Sequence, residues 1–294
     1  MKVFTATAAS EERYQLGEGP VGDAERERVL WVDIKAGAVY AGHLEDDLVR
    51  PDARLRFDET VAAVVCAQDG RLLVAGERRI YDVDWEWHCT VRTDVIPHAK
   101  RSRLNDGACD PAGRFLVGSM ALDSRRAEEC LYRLEDSGDL TVLDSDLTIS
   151  NGLAWSPDGG IMYSTDTIPG VVWARGYDAD RGDHGPRREV VRFGAGGSPD
   201  GLCTDIDGNL WVAVWGGGEV RCYTPAGERL ATVSVPAPHT TSVAFVGAER
   251  DTLLITTATD QLSATQLDAF PLSGRLFLAH VGVTGLRVAP WAGR

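Results

Sequence analysis

The sequence lacks any unbroken apolar run near the roughly 20 residues that a membrane-spanning helix needs. Its opening, MKVFTATAASEERY, has no apolar core of the secretory kind. A cytoplasmic protein without a membrane partner is therefore expected. Positive charge is also scarce: 30 Lys and Arg stand against 44 Asp and Glu, for a net charge of -14. A surface this acidic repels nucleic acid and anionic lipid, and it suits a site that attracts a cation. None of the six cysteines forms a Cys-x-x-Cys pair, which argues against a zinc-thiolate site and for reduced, largely buried thiols. The six histidines show no metal-ligand spacing. There is no Gly-x-Ser-x-Gly nucleophile elbow, no P-loop and no Gly-x-Gly-x-x-Gly motif after a strand. Serine hydrolase and nucleotide-binding chemistry are thereby disfavoured.

Glycine, in contrast, is abundant at 32 copies, and much of it sits in a repeat. Six short β-rich runs recur, marked by Trp31, Leu73, Leu116, Met162, Trp211 and Leu254, at spacings of 42, 43, 46, 49 and 43. A tight turn precedes each, such as Asp69-Gly70-Arg71 or Asp207-Gly208-Asn209, where positive backbone angles are readily adopted. Another short apolar run comes before each turn, and a third and usually a fourth follow the marker. Four short strands per repeat of about 43 residues is the pattern of a propeller blade. The expectation is all-β: one six-bladed β-propeller domain over residues 1–294, with four antiparallel strands per blade. Val3-Phe4-Thr5-Ala6 is expected to pair with the last blade, at Leu276-Phe277-Leu278-Ala279, and so to close the ring. Trp85-Glu86-Trp87-His88 is expected to pack within a strand of the second blade.

Alignment of the repeats brings six residues to one phase, just before the innermost strand: Glu18, Ala62, Asp106, Asn151, Asp200 and Ser242. In a propeller those strands line the central channel, so equivalent positions face one axis. Five of the six carry a side-chain oxygen and three are acids. Converging carboxylates repel one another and are costly to bury, so a cation on the axis is the natural resolution. An all-oxygen set suits a hard ion such as Ca²⁺, Mg²⁺ or Mn²⁺. Asp and Asn before strands also form turns, but Glu18 is not a favoured turn residue.

Several ordered motifs resemble the SMP-30/gluconolactonase family. They include Leu16-Gly17-Glu18-Gly19-Pro20, Arg103-Leu104-Asn105-Asp106-Gly107, Ile149-Ser150-Asn151-Gly152-Leu153 and Pro199-Asp200-Gly201-Leu202. The likeness runs from about residue 14 to residue 286. It implies a six-bladed propeller and the hydrolysis of a sugar lactone, with one divalent ion (Ca, Zn, Mg or Mn) held by Glu18, Asn151 and Asp200. It further implies Arg103 and Asn105 as substrate-binding residues and Asp200 as the general base. Asp123 falls where the family carries a Glu, a departure that bears on the substrate gripped. Arg103 and Asn105 alternate about Leu104, so on an extended segment they face one side. Asp106 reads as either a substrate contact or a support behind the ligands, and Asp166 as either an orienting group or a structural acceptor. Alternative expectations are another metal-dependent propeller hydrolase, phosphotriesterase-like or acting on non-sugar lactones, and a non-enzymatic calcium-binding or interaction propeller. A closed propeller needs no partner to cover its edges, so a monomer is expected.

Overall fold

The computed structural model describes residues 1–123 and 125–293, and its strands form six antiparallel blades. Blade 1 is the meander Gly17–Asp23, Arg28–Asp33, Ala38–Glu45 and Leu48–Arg56. Blades 2 to 5 repeat it over residues 63–94, 102–147, 150–192 and 198–234. Blade 6 joins Thr240–Val246, Thr252–Thr257 and Phe277–His280 to an N-terminal strand, Thr7–Ala8. The six-bladed propeller expected from the repeat is the fold.

Burial grades outward along each blade. In blade 4, every residue of Ser150–Trp155 is buried, as is Ile161–Asp166 apart from its first residue. The outermost strand, Arg188–Arg192, is mostly exposed or half-buried. Inner strands are covered on both faces by neighbouring blades and therefore read as continuous apolar runs. Outer strands meet water on one side. Six buried apolar clusters result, and each draws on two adjoining blades. Between blades 6 and 1, the Trp31 ring stacks on Tyr40 at 5.5 Å, and Tyr14 meets both edge-on. Each fully buried Leu, Val or Phe in these seams contributes about 1.5–3 kcal/mol.

The ring closes differently from expectation. Val3, Phe4 and Thr5 do not join the last blade: Lys2–Thr5 runs parallel to Arg229–Ser234 on the outer edge of blade 5. Thr7 and Ala8 alone pair with the last blade, opposite Leu278 and Phe277. The cause is packing. Phe4, Ala6 and Ala8 fill the seam between blades 5 and 6, so the segment crosses from one outer edge to the other and covers both. Trp85-Glu86-Trp87-His88 also departs from its expected strand. Asp84 accepts the main-chain N–H groups of Glu86 and His88, both at 2.9 Å, and folds the segment into a turn with Trp87 at φ +64°. The six cysteines are free: Cys66, Cys109 and Cys222 are buried, while Cys89 is exposed.

Residues 284–292 cross the opening of the channel away from the ring. Leu286 N donates to Thr204 O, Trp291 N to Cys66 O and Ala292 N to Gly113 O, which ties blades 5, 2 and 3 together. Trp291 is 4% exposed, and the Arg92 guanidinium lies 4.7 Å from its ring centroid. Trp291→Ala is expected to cost about 3–5 kcal/mol through the cavity it leaves. A lower urea midpoint with the folded spectrum retained would check this.

Candidate functional site

The six positions of equal phase meet at the axis, and none is more than 9% exposed. The structure shows how their side chains are aimed. In blades 1, 3, 4, 5 and 6 the pairing of the inner strand slips at or beside the ring residue: Glu18/Val21, Leu104/Gly107, Asn151/Leu153, Pro199/Leu202 and Thr240/Ser242. Each slip is a β-bulge, which bends the strand and redirects a side chain. In blade 2 the regular pairing begins at Ala63, opposite Ala75, and the ring residue Ala62 just before it also donates its N–H to Ala75 O, at 2.7 Å.

The glycines that follow these residues allow the approach. A Cβ on Gly201 would lie 2.1 Å from Ser242 Oγ and 2.8 Å from its Cα. A Cβ on Gly152, at φ +32°, would meet Asp200 O at 2.6 Å. Gly201→Ala is therefore expected to push blades 5 and 6 apart at the ring, lowering the melting temperature by several degrees, with overpacking worth about 1–3 kcal/mol.

Asn151 and Asp200 are joined directly, Asn151 Nδ2 donating to Asp200 Oδ1 and, at 3.1 Å, to Thr167 Oγ1. This leaves Asn151 Oδ1 buried with no hydrogen-bond partner. Thr165 Oγ1 donates to Asp200 O at 2.9 Å and fixes the backbone there. Both threonines escaped the sequence reading; the available signal was the strand paired with the Asn151 segment. Burial pushes Glu18 well above the usual carboxylate range, and the charges of Asp200 and Asp106 push it further. Asp200 is raised likewise, by burial first and Asp106 next. Burial raises Asp106 to about 6, opposed by N–H donation from Gly107 and Gly152. Burial lowers Arg103 to about 10, offset by the acids that face it, Glu18 and Asp260 foremost.

Arg103 and Asn105 flank the fully buried Leu104 on the strand Ser102–Cys109, as their alternation predicts. Arg103 Nη1 donates to Leu104 O at 2.8 Å, and Asn105 Nδ2 donates across the seam to Ser150 O at 3.0 Å. Asn105 thus also holds blade 3 to the Asn151 strand. Asp123 stands apart from this buried group. It is exposed, with its carboxylate on Arg125 Nε at 2.6 Å, and that guanidinium holds it below the usual carboxylate range. Asp166 accepts the N–H groups of Thr148 and Ile149, the latter at 3.0 Å. Asp33 does the same in blade 1 for Gln15 and Leu16, at 2.8 and 3.0 Å. These two acids brace the chain entering a ring strand and act on the site through the backbone. Beyond the ring, the channel widens into a cavity of about 330 Å³, with Asp106 and Ser242 at one end and Leu286–Ala289 at the other. A second cavity, of about 290 Å³, lies outside it beside Arg26, Arg28 and Arg250.

Residues 16–259, which include all six ring positions, match the model of the SMP-30/Gluconolactonase/LRE-like region. The chain belongs to this family. A 6-deoxy-6-sulfogluconolactonase of Pseudomonas putida is 34% identical over 281 residues, covering 95% of both chains. Human regucalcin is 33% identical over 291 residues, covering 96% of both. The crystal structure of a calcium-binding protein, regucalcin, from Agrobacterium tumefaciens superposes with a TM-score of 0.93 at 27% identity, covering 99% of each chain. The propeller is thus of the SMP-30/gluconolactonase/LRE-like type. Among the described residues, no helix is long and apolar enough to cross a membrane.

Proposed function

We propose that the protein hydrolyses a sugar lactone to its aldonic acid with a divalent cation held by Glu18, Asn151 and Asp200. The observation that carries this reading is the buried, unpartnered Asn151 Oδ1 beside two carboxylates raised first by burial and then by the charges of neighbouring acids. A lone acceptor next to unneutralised acids fits a cation's coordination shell. Among the described residues, no group of three or more His, Cys, Asp or Glu is placed to hold an ion together. The proposed set differs in kind, being two carboxylates and one amide oxygen. When bound there, a divalent cation supplies Lewis-acid polarisation of the ester carbonyl and a lowered pKa for water.

The chain's own residues do the rest. Asp200 takes the proton of the attacking water, a role served by a carboxylate whose affinity for protons is raised. Arg103 presents its guanidinium to the negative charge that grows on the carbonyl oxygen, inside a buried site where such a contact is strengthened. Asn105 and Asp123 engage the sugar hydroxyls, Asp123 from the rim.

The direct test is to strip the protein with EDTA and assay D-glucono-1,5-lactone with Ca²⁺, Mg²⁺, Mn²⁺ or Zn²⁺ restored singly. Turnover that vanishes and returns with an ion is expected; full activity without one would overturn the proposal. Arg103→Ala is expected to raise KM and to lower kcat by about 10- to 100-fold, because its contact strengthens in the transition state. Asp123→Ala, being exposed, is expected to raise KM about threefold and to leave kcat near wild type.

A further inference from the structure

Two aromatic residues beside the entries to the Asp200 and Ser242 strands play no part in the mechanism above. Trp215 ends the strand Leu210–Trp215, opposite Ser198 and one residue beyond Val214, whose partner Pro199 opens the Asp200 bulge. His239 immediately precedes the Ser242 strand, and the two residues form a bridge between blades 5 and 6. Their rings stack at 3.9 Å with an interplanar angle of 16°. Trp215 also packs against the apolar cluster that contains Leu16 and Ala258, beside the entry to the Glu18 strand. Both rings are half-buried. His239 Nδ1 lies 2.9 Å from Asp260 O, a carbonyl that can only accept. The proton is thereby pinned to Nδ1, which leaves Nε2 as a free lone pair. The carboxylate of the same Asp260 faces Lys35 Nζ at 3.8 Å and offsets the burial of Arg103. Asp260 therefore joins the imidazole to the proposed substrate arginine, on one side of the ring.

We propose that Trp215 and His239 form the sugar-binding platform of the site, Trp215 covering the C–H face of a polyhydroxylated lactone and His239 Nε2 accepting one of its ring hydroxyls. This rests on the lactonase reading and adds to it the part of the pocket that distinguishes a sugar lactone from a bare one. Aromatic faces suit the apolar faces of sugar rings, and a directed acceptor rejects an analogue that lacks the hydroxyl. Burial keeps the imidazole neutral by lowering its pKa, against the pull of the Asp260 carbonyl and carboxylate.

The test uses the metal-loaded protein with D-glucono-1,5-lactone and δ-valerolactone, which shares the ester but has no hydroxyls. His239→Phe retains a ring on Trp215 and removes Nε2. The ratio of kcat/KM for gluconolactone to that for valerolactone is expected to fall about five- to tenfold, carried by KM. Trp215→Leu, checked for folding by thermal melting, is expected to lower the same ratio. Effects on stability or on the ion cancel in that ratio. If both folded variants keep the wild-type ratio, the platform is overturned while the lactonase reading stands. If the wild type hydrolyses neither lactone with any ion, the lactonase reading fails and the platform with it.

Discussion

Asp200→Ala is expected to abolish lactone hydrolysis, with kcat lower by about 10³-fold or more. Two losses combine. A general base contributes about 10²- to 10⁴-fold by itself. The same substitution also removes one of three proposed ligand oxygens and so weakens retention of the ion. It further frees Asn151, whose Nδ2 donates to Asp200 Oδ1, so the neighbouring ligand loses its orientation. The two losses can be separated by measuring metal content alongside kcat at rising ion concentration. If added ion restores binding but not turnover, the proton-transfer role is isolated. Asp166→Asn provides the contrast: it weakens the brace on Thr148 and Ile149, lowering the melting temperature while leaving the pH dependence of kcat in place. A folded, metal-loaded Asp200→Ala that kept more than about a tenth of wild-type kcat would remove Asp200 from the chemistry.

The blade repeat was legible because each blade must bury its own inner strands, and that requirement imprints the same apolar runs and turns six times over. The ring was legible for the same reason, since a shared phase places residues at one axis whatever their chemistry. The bulges were not. A register slip depends on how two strands settle against each other, and neither strand records it alone. Gly201 is required because Ser242 of the next blade occupies the space a Cβ would take, which its own strand does not record. Asp166 read equally as an orienting group or a structural acceptor, and its pairing with main-chain N–H groups shows a brace shared with Asp33. The N-terminal strand was misplaced because pairing with either of two adjoining outer edges satisfies the same alternation. Filling the seam with Phe4 and Ala6 decided between them. His239 was passed over because a lone histidine has no spacing to read. Its meaning comes from Asp260 and Trp215, which lie 21 and 24 residues away.

In the metal-free protein, Asp200→Asn is expected to be more stable than wild type at pH 8, although it replaces a buried carboxylate with an isostere of no greater bulk. The reasoning starts from the sign of the shifts. Glu18, Asp106 and Asp200 all bind protons more tightly folded than unfolded. Acids shifted in that direction favour the folded state at low pH, and the benefit is lost as pH rises through the folded values, of which Asp106 supplies one at about 6. In the metal-free ring three buried acids face chiefly Arg103, and burial opposes the ionisation of each. Asp200→Asn removes one charge while its Oδ1 still accepts from Asn151 Nδ2. A melting temperature several degrees above wild type is expected at pH 8, shrinking as pH falls and vanishing only below the unfolded carboxylate pKa of about 4, where the acid is protonated in both states. Saturating Ca²⁺ should reverse the order at pH 8, because the ion stabilises the wild type by mass action and finds one ligand charge fewer in the variant. Equal melting temperatures for the two proteins at pH 8, with and without ion, would mean that the ring acids neither repel one another nor share a cation. Asp200 would then not be raised in the folded protein by any cause, burial included, and the case for a metal on the axis would rest on Asn151 Oδ1 by itself.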